Sequence, residues 1–254
     1  MIYVLRYLLV ALYTLFWGSV AIVVAVVDRS GGGVIWIGRQ WVRWIAVSCG
    51  FRIEVEGLER LEPGRSYVFM TNHQSAVDVA AIIASLPGDW RFVAKRELTW
   101  IPVFGWALAL HRHVIVDRRD NARAVASMRR AAERIRSGTS VIVFPEGTRS
   151  RTGELRPFKS GGFHLALQAQ VPIVPATISG SQHITPKGSL RVLSGTVKIV
   201  YGDPIPTEGL GVEDRHALKE RVRDAIVRGY DPALQEGAGV RGAVHSGTDH
   251  PSTA

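Results

Sequence analysis

The stretch Ser66–Asp78, which reads SYVFMTNHQSAVD, joins an apolar run to a polar cluster. The run from Ser66 to Thr71 has the continuous apolar character of a strand that is covered on both faces of a sheet. The polar cluster that follows it enters an apolar, helix-like segment near Val77. Because open α/β sheets place their binding crevice at the ends of strands, this stretch predicts an α/β domain with a site at the end of this strand.

The rest of the chain repeats this alternation of short β-type runs with helical patterns. It predicts an α/β domain over 51–235, with a mostly parallel or mixed sheet flanked by helices. Helices are predicted at Asp120–Ser137 and Glu213–Arg228, and the aperiodic tail 236–254 is predicted to be disordered. The predicted strands are Phe51–Glu56, Ser66–Thr71, Arg91–Ala94, His113–Val116, Ser140–Phe144, Pro172–Thr177 and Thr196–Tyr201.

The N-terminus is apolar and precedes this domain. The 21 residues from Tyr7 to Val27 carry no charge, which is long enough to cross a bilayer core. After a run of three glycines, Val34–Cys49 combines three tryptophans with Arg39 and Arg43, as suits a helix in the lipid headgroup layer. Residues 1–50 are therefore predicted to form a membrane-associated two-helix hairpin, and an ordinary buried hairpin is the alternative. Whether the first helix crosses the bilayer or enters one leaflet remains open.

Composition and charge narrow the possible partners. The 254 residues carry a formal net charge of +9, and the single cysteine, Cys49, excludes an internal disulfide framework. Residues 111–136 hold eight arginines and three acids. Beside a membrane segment, such a basic stretch favours anionic lipid headgroups and phosphorylated small substrates over nucleic acid.

The polar cluster contains His73 and Asp78, which are five residues apart. On one continuous helix their side chains would point about 140° apart, so they can meet only if His73 lies in the turn before the helix. In that arrangement Asp78 orients one ring nitrogen and leaves the other to take a proton from an alcohol. The alternative is that Asn72 or Ser75 caps the helix and that His73 is an ordinary turn residue.

A second cluster, Phe144–Ser150, follows another predicted strand. Arg149 offers a planar fork to a phosphate, and Glu146 can accept hydrogen bonds from substrate hydroxyls or hold the loop. The alternative is a surface turn with a weak Glu146–Arg149 ion pair. Downstream, Lys159 stands beside a helix start, which suits an anion.

Two further motifs are weaker. Arg118, in Val116-Asp117-Arg118, follows a strand and either reaches a phosphate or pairs with a neighbouring aspartate. The proline-punctuated run Val171–Ala176 either lines a hydrocarbon slot or forms a strand near a sheet edge. One cysteine cannot build a thiolate zinc site, and no metal site is predicted.

Four of these motifs, in this order, closely resemble those of the lysophosphatidate acyltransferase family, whose signature is His-x4-Asp. They are Asn72–Asp78, Val116–Arg118, Phe144–Ser150 and Val171–Pro175. The resemblance runs from about Tyr67 to Ser179. One departure is His113-Val114-Ile115-Val116, where the family usually has a glycine and an aromatic residue before Asp-Arg.

The resemblance implies a reaction and a set of roles. His73, oriented by Asp78, would deprotonate the sn-2 hydroxyl of a 1-acylglycerol 3-phosphate (lysophosphatidic acid), which attacks the thioester of acyl-CoA or acyl-carrier protein. No cofactor and no covalent acyl-enzyme would be needed. The residues implied at the substrate are Glu146, Gly147, Thr148, Arg149, Arg118, Lys159 and, by position only, Lys95.

The expected location is the cell inner membrane, with the active site on the cytoplasmic side and with membrane lipids as partners. Two alternatives remain at this stage. One is a sibling acyltransferase that acts on glycerol 3-phosphate, another lysolipid or a glycolipid hydroxyl. The other is a non-catalytic membrane tether that binds anionic lipid.

Overall fold

A computed structural model describes residues 2–28, 31–117, 119–150, 152–186, 188–189 and 191–237. The predicted disordered tail therefore falls almost entirely outside the described residues. The strands are β1 (Phe51–Glu56), β2 (Val68–Thr71), β3 (Trp90–Lys95), β4 (Val114–Val116), β5 (Ser140–Val143), β6 (Ile173–Ser179) and β7 (Gly195–Tyr201).

These strands form a seven-stranded sheet in the order β1-β7-β6-β2-β5-β3-β4. All neighbouring pairs are parallel except β6 and β7, which are antiparallel, so the sheet is mixed, as predicted. Each predicted strand is present, with bounds that differ by no more than two residues. Strand β6 is buried throughout and lies inside the sheet, so the prediction of a strand near the edge at Val171–Ala176 is wrong.

Helices cover both faces of the sheet. They are α1 (Ile2–Val27), α2 (Gly32–Cys49), α3 (Val77–Ser85), α4 (Phe104–Leu110), α5 (Asn121–Arg136), α6 (Gly161–Ala169), α7 (Ser181–Ile184), α8 (Arg215–Arg228) and α9 (Pro232–Gln235). One core cluster joins the sheet to α2 and α3, and a second joins it to α5, α6 and α8. Each fully buried Leu or Ile in these clusters contributes about 1.5–3 kcal/mol to folding.

The two N-terminal helices differ in burial. In α1 only Ala21 is buried, and α1 is long and apolar enough to cross a membrane by length and composition. In α2, by contrast, Ile35, Ile45 and Cys49 belong to the core cluster with the sheet. The alternative of a buried hairpin thus fails for α1, whereas α2 is also a core helix.

The arginines of α2 have different surroundings. Arg39 donates from Nη2 to the carbonyl oxygen of Leu86 at 3.0 Å, at the end of α3, and is half-buried. Arg43, one turn later, is exposed. Arg39 is therefore part of the contact between α2 and the α/β domain.

The α/β domain contacts the hairpin along its length. Near the start of α1, Arg6 donates from Nη1 to the carbonyl oxygen of Val192 at 2.9 Å. Further along, a Cβ added at Gly18 would lie 2.7 Å from Val103 Cγ1, so a glycine allows this close approach. At the turn between α1 and α2, His111 Nε2 lies 3.3 Å from the carbonyl oxygen of Gly31. The hairpin therefore lies against the domain from one end of α1 to the other.

Candidate active site

The end of β2 and the start of α3 bring His73 and Asp78 together. His73 lies in the turn between the two elements, and Asp78 is the second residue of α3. His73 Nδ1 is 2.8 Å from Asp78 Oδ2. The predicted meeting of these side chains is confirmed.

Asp78 is fully buried and is held by backbone groups as well as by the imidazole. Its Oδ2 also accepts hydrogen bonds from the backbone N–H groups of Gln74 at 2.7 Å and Ser75 at 2.8 Å. An oxygen that accepts from two N–H donors is an acceptor toward the ring too, so Nδ1 carries the proton and donates. The lone pair of the neutral imidazole is therefore on Nε2, the nitrogen that a base uses.

Of the two residues in the helix-capping alternative, Asn72 does not contact the helix start, whereas Ser75 accepts a hydrogen bond from Val77, the first residue of α3. The Asn72 amide donates to the carbonyl oxygen of Ile178 at 2.8 Å, and its Oδ1 accepts from the Ile178 N–H at 2.8 Å. Asn72 therefore ties the end of β2 to β6. Ser75 Oγ accepts from the N–H of Val77 at 3.3 Å and donates to the carbonyl oxygen of Thr185.

An aromatic residue packs against the imidazole of His73. The rings of His73 and Phe144 stack with centroids 4.0 Å apart and planes 21° apart, and Phe92 stacks behind Phe144. Sequence reasoning missed this role of Phe144, although the residue stands directly before the Pro145-Glu146-Gly147 turn. The contact depends on β2 and β5 being neighbours in the sheet, which the sequence alone does not show.

Glu146 lies beneath the site. Its Oε1 accepts from the backbone N–H of His73 at 2.6 Å, and its Oε2 accepts from that of Arg156 at 3.0 Å. Burial raises the pKa of this carboxyl, and the two backbone hydrogen bonds partly offset that rise. Of the two roles open at the sequence level, the geometry favours holding the loops over contacting substrate.

A cleft of about 1190 Å³ opens beside His73. Three cationic side chains, Lys95, Arg149 and Lys159, share its wall with Gly147 and Thr148. Five of the seven predicted substrate residues thus meet at one cleft with the imidazole. Glu146 is buried behind it, and Arg118 lies outside the described residues.

The rest of the cleft wall is mainly apolar. It includes Phe104 and Leu108 of α4, Met128 of α5 and Leu167 of α6. An apolar wall of this kind can take up hydrocarbon, and the cations next to the imidazole can hold an anionic group. The run Val171–Ala176 does not line this cleft.

The described residues contain no group of three or more His, Cys, Asp and Glu side chains placed to hold a metal ion. Cys49, the last residue of α2, is buried in the core and does not belong to the lining of the cleft.

Known proteins are similar to this chain in sequence. The family model described as Acyltransferase matches residues 52–179. The 1-acyl-sn-glycerol-3-phosphate acyltransferase alpha of Homo sapiens is 39% identical over 191 residues, which cover 75% of this chain and 68% of that protein. The 1-acyl-sn-glycerol-3-phosphate acyltransferase of Limnanthes douglasii is 35% identical over 210 residues, covering 82% of this chain and 70% of the relative.

A solved structure agrees with the sequence relatives. The crystal structure of the 1-acyl-sn-glycerophosphate (LPA) acyltransferase PlsC from Thermotoga maritima superposes with a TM-score of 0.77 at 28% identity. The match covers 92% of this chain and 94% of that one, so it includes the N-terminal helices as well as the sheet. On its motifs, its fold and its relatives, the chain belongs to the 1-acyl-sn-glycerol-3-phosphate acyltransferase family.

Proposed function

We propose that this protein transfers a fatty acyl group from a thioester donor to the sn-2 hydroxyl of 1-acylglycerol 3-phosphate, giving phosphatidic acid. The observation that carries the proposal is the His73–Asp78 pair, which opens on a cleft with cations near the imidazole and apolar walls beyond it. The names of the relatives support the same acceptor.

The reaction begins with proton transfer to His73. Nε2 takes the hydroxyl proton of the acceptor while the oxygen attacks the thioester carbonyl, and Asp78 stabilises the resulting imidazolium. The tetrahedral intermediate then collapses, the C–S bond breaks, and the imidazolium returns the proton to the leaving thiolate. General-base help of this kind is worth about 10²–10⁴ in rate.

The direct attack needs no enzyme nucleophile. The two hydroxyls nearest to His73 in sequence, those of Thr71 and Ser75, are both buried, and each donates to a backbone carbonyl. Acyl-CoA or acyl-carrier protein would supply the thioester, and the acyl chain would lie along the apolar wall of the cleft.

The acceptor phosphate would be held by Arg149 and Lys159. Gly147 and Thr148 directly precede Arg149, and Lys95 also lines the cleft. Arginine binds phosphate oxygens through two parallel N–H groups, whereas lysine acts as a point charge. Arg118 remains a further candidate from its motif. Glu146 would act by positioning the backbone of His73 rather than by touching glycerol.

The hairpin would attach the enzyme to the membrane. Helix α1 is about 39 Å long at 1.5 Å per residue, yet the α/β domain contacts it from Arg6 to the turn at Gly31. A domain that lies along the whole helix favours insertion into one leaflet over crossing. The cytoplasmic side of the inner membrane is the proposed location, because acyl-CoA and acyl-carrier protein are cytoplasmic.

An acceptor screen tests the proposal. Purified protein is given acyl-CoA or acyl-carrier protein with 1-acylglycerol 3-phosphate, glycerol 3-phosphate, a lysophosphatidylcholine or a glycolipid. We expect the highest kcat/KM with 1-acylglycerol 3-phosphate. A higher value with another acceptor would identify a sibling acyltransferase, and no turnover with any of them would leave a lipid-binding tether.

A further inference from the structure

A second cleft, of about 550 Å³, lies where the end of α2 meets the β1–β7 edge of the sheet. Its wall includes Arg43 and Val47 of α2, Arg52 of β1, and Ser194 and Thr196 at the start of β7. It shares no lining residue with the acyl-transfer cleft. The mechanism above does not use it.

The charge in this cleft is positive and unbalanced. Neither Arg43 nor Arg52 forms a hydrogen bond or an ion pair within the described part of the chain, and no acidic residue belongs to the described lining. Glu54, two residues later on β1, is not a lining residue, and Lys198 is its partner on β7 in the sheet register. A third guanidinium, that of Arg6, adjoins the cleft and donates to Ser194 Oγ at 3.1 Å.

Guanidinium groups that share a cleft without a carboxylate repel one another. An anion between them removes that repulsion and offers acceptors to their planar N–H groups, and phosphate oxygens match this geometry. The Thr196 hydroxyl adds a neutral donor to the same wall.

The rim of the cleft indicates where such an anion comes from. Val47 lines the cleft and is 78% exposed, and Trp44 on the same helix is 45% exposed. Tryptophan beside arginine is typical of the membrane–water interface. The first turn of α1, with its exposed apolar side chains, ends at Arg6 beside the cleft. The arginines therefore lie next to the exposed apolar and aromatic side chains that would meet lipid.

We propose that this cleft is a headgroup-binding site for the phosphate of an anionic membrane phospholipid and is separate from the acyl-transfer cleft. Arg43 and Arg52 contact the phosphate oxygens, and Val47 packs against the glycerol and upper acyl region. The proposal rests on the membrane attachment described under the proposed function but is independent of acyl transfer.

Vesicle binding by the full-length protein tests the proposed headgroup-binding site. Wild type, R43Q/R52Q and the charge-matched control R221Q/R228Q are mixed with phosphatidylcholine vesicles, with or without phosphatidylglycerol, which is neither substrate nor product of the proposed reaction. Arg221 and Arg228 are exposed on α8, on the opposite face of the sheet. Melting temperatures confirm folding, and the single variant R52Q gives the same test if the double variant does not fold.

We expect phosphatidylglycerol to strengthen the vesicle binding of wild type. In R43Q/R52Q this increase in affinity should be about tenfold smaller, whereas R221Q/R228Q should keep it. All three proteins should bind neutral vesicles equally. The headgroup-binding site is contradicted if R43Q/R52Q keeps the increase in affinity. It is also contradicted if R221Q/R228Q loses as much of that increase, since the increase would then depend on the overall charge of the protein. It is also contradicted if inorganic phosphate binds at these arginines while the lipid gain is unchanged. If wild type bound neither kind of vesicle, both the headgroup-binding site and the membrane attachment would be overturned. The acceptor screen, performed in detergent, tests acyl transfer independently of both.

Discussion

Glu146 joins the loop that carries His73 to the loop that carries Arg149. It does so with one oxygen on the N–H of His73 and the other on the N–H of Arg156. A buried carboxylate that accepts two backbone hydrogen bonds is a strong positioning group, since each charge-assisted bond contributes about 1.5–3 kcal/mol. Its effect on the reaction would pass through the position of the imidazole.

Substitution of Glu146 by glutamine separates positioning from substrate contact. The amide keeps one acceptor but faces the other backbone N–H with its NH₂ group, so one loop is released. We expect kcat to fall about tenfold to a hundredfold while KM for 1-acylglycerol 3-phosphate changes little. Steady-state kinetics provide the check. A large rise in KM with unchanged kcat would instead support the direct glycerol contact.

At the residue scale, the sequence predicted the contact between His73 and Asp78 but not the contacts of His73 with Phe144 and Glu146. The five-residue spacing of His73 and Asp78 required a turn before the helix, and that could be worked out from helical geometry alone. The stacking of Phe144 on His73 and the hydrogen bond from His73 to Glu146 join residues about 70 positions apart. Such contacts depend on β2 and β5 being neighbours in the sheet, which residue patterns do not reveal.

At the scale of elements, a chain of two imidazoles links the sheet to the turn of the hairpin. The N–H of Phe92 donates to His113 Nδ1 at 2.9 Å, so the proton of neutral His113 is on Nε2 and points to His111 Nδ1 at 3.4 Å. His111 in turn donates from Nε2 to the carbonyl oxygen of Gly31. These hydrogen bonds form only while both rings are neutral. A proton added to Nδ1 of either ring would point at the N–H group that Nδ1 now accepts from.

Acid should therefore weaken this link. Burial and the charge of Arg91 lower the pKa of His111 to about 4, and nearby Asp89 and Asp28 offset this only in part. Burial, with His111 and Arg91, also lowers the pKa of His113. In the unfolded chain both rings take up protons near pH 6.5, so the free energy of unfolding is highest above that pH. It falls by about 1.4 kcal/mol per pH unit for each ring as the pH drops toward 4.

Thermal unfolding in detergent between pH 7.5 and 5 measures this effect. The melting temperature of H111Q should depend less on pH than that of wild type, because one of the two rings is gone. Exposed His216, substituted by glutamine, is the matched control and should leave the wild-type slope unchanged. Equal slopes for wild type and H111Q would show that the imidazole chain does not govern acid stability.

The order of the elements was only partly predictable. Apolar or alternating runs located all seven strands, since each strand places at least one apolar side chain in the core. The reversal of β7 relative to β6 was not predictable, because it depends on the path of the chain from Ser179 through α7 rather than on the strand residues. The role of α2 in the core was predicted only as the alternative of a buried hairpin, because Trp36 and Trp44 favoured a membrane-facing helix while Ile35 and Ile45 pack inward.

At the scale of the whole molecule, the exposed face of α1 would be the membrane attachment surface under the proposed function. Leu12, 57% exposed near the middle of α1, should lie in hydrocarbon. L12E should weaken binding to phosphatidylcholine vesicles at least about tenfold, because a charge there is expensive in lipid. V227E on α8, where Val227 is 49% exposed on the opposite face, should have no effect. Vesicle flotation measures both, and equal binding by L12E and wild type would contradict the attachment.

The central proposal for the whole molecule is acyl transfer at His73, beside the cleft with cationic and apolar walls. Turnover of 1-acylglycerol 3-phosphate by H73A is the most direct test. The account predicts that kcat falls by about 10²–10⁴ with the melting temperature within about 4 °C of wild type, while H216A keeps wild-type turnover. A folded H73A enzyme that turns over at the wild-type rate would contradict it.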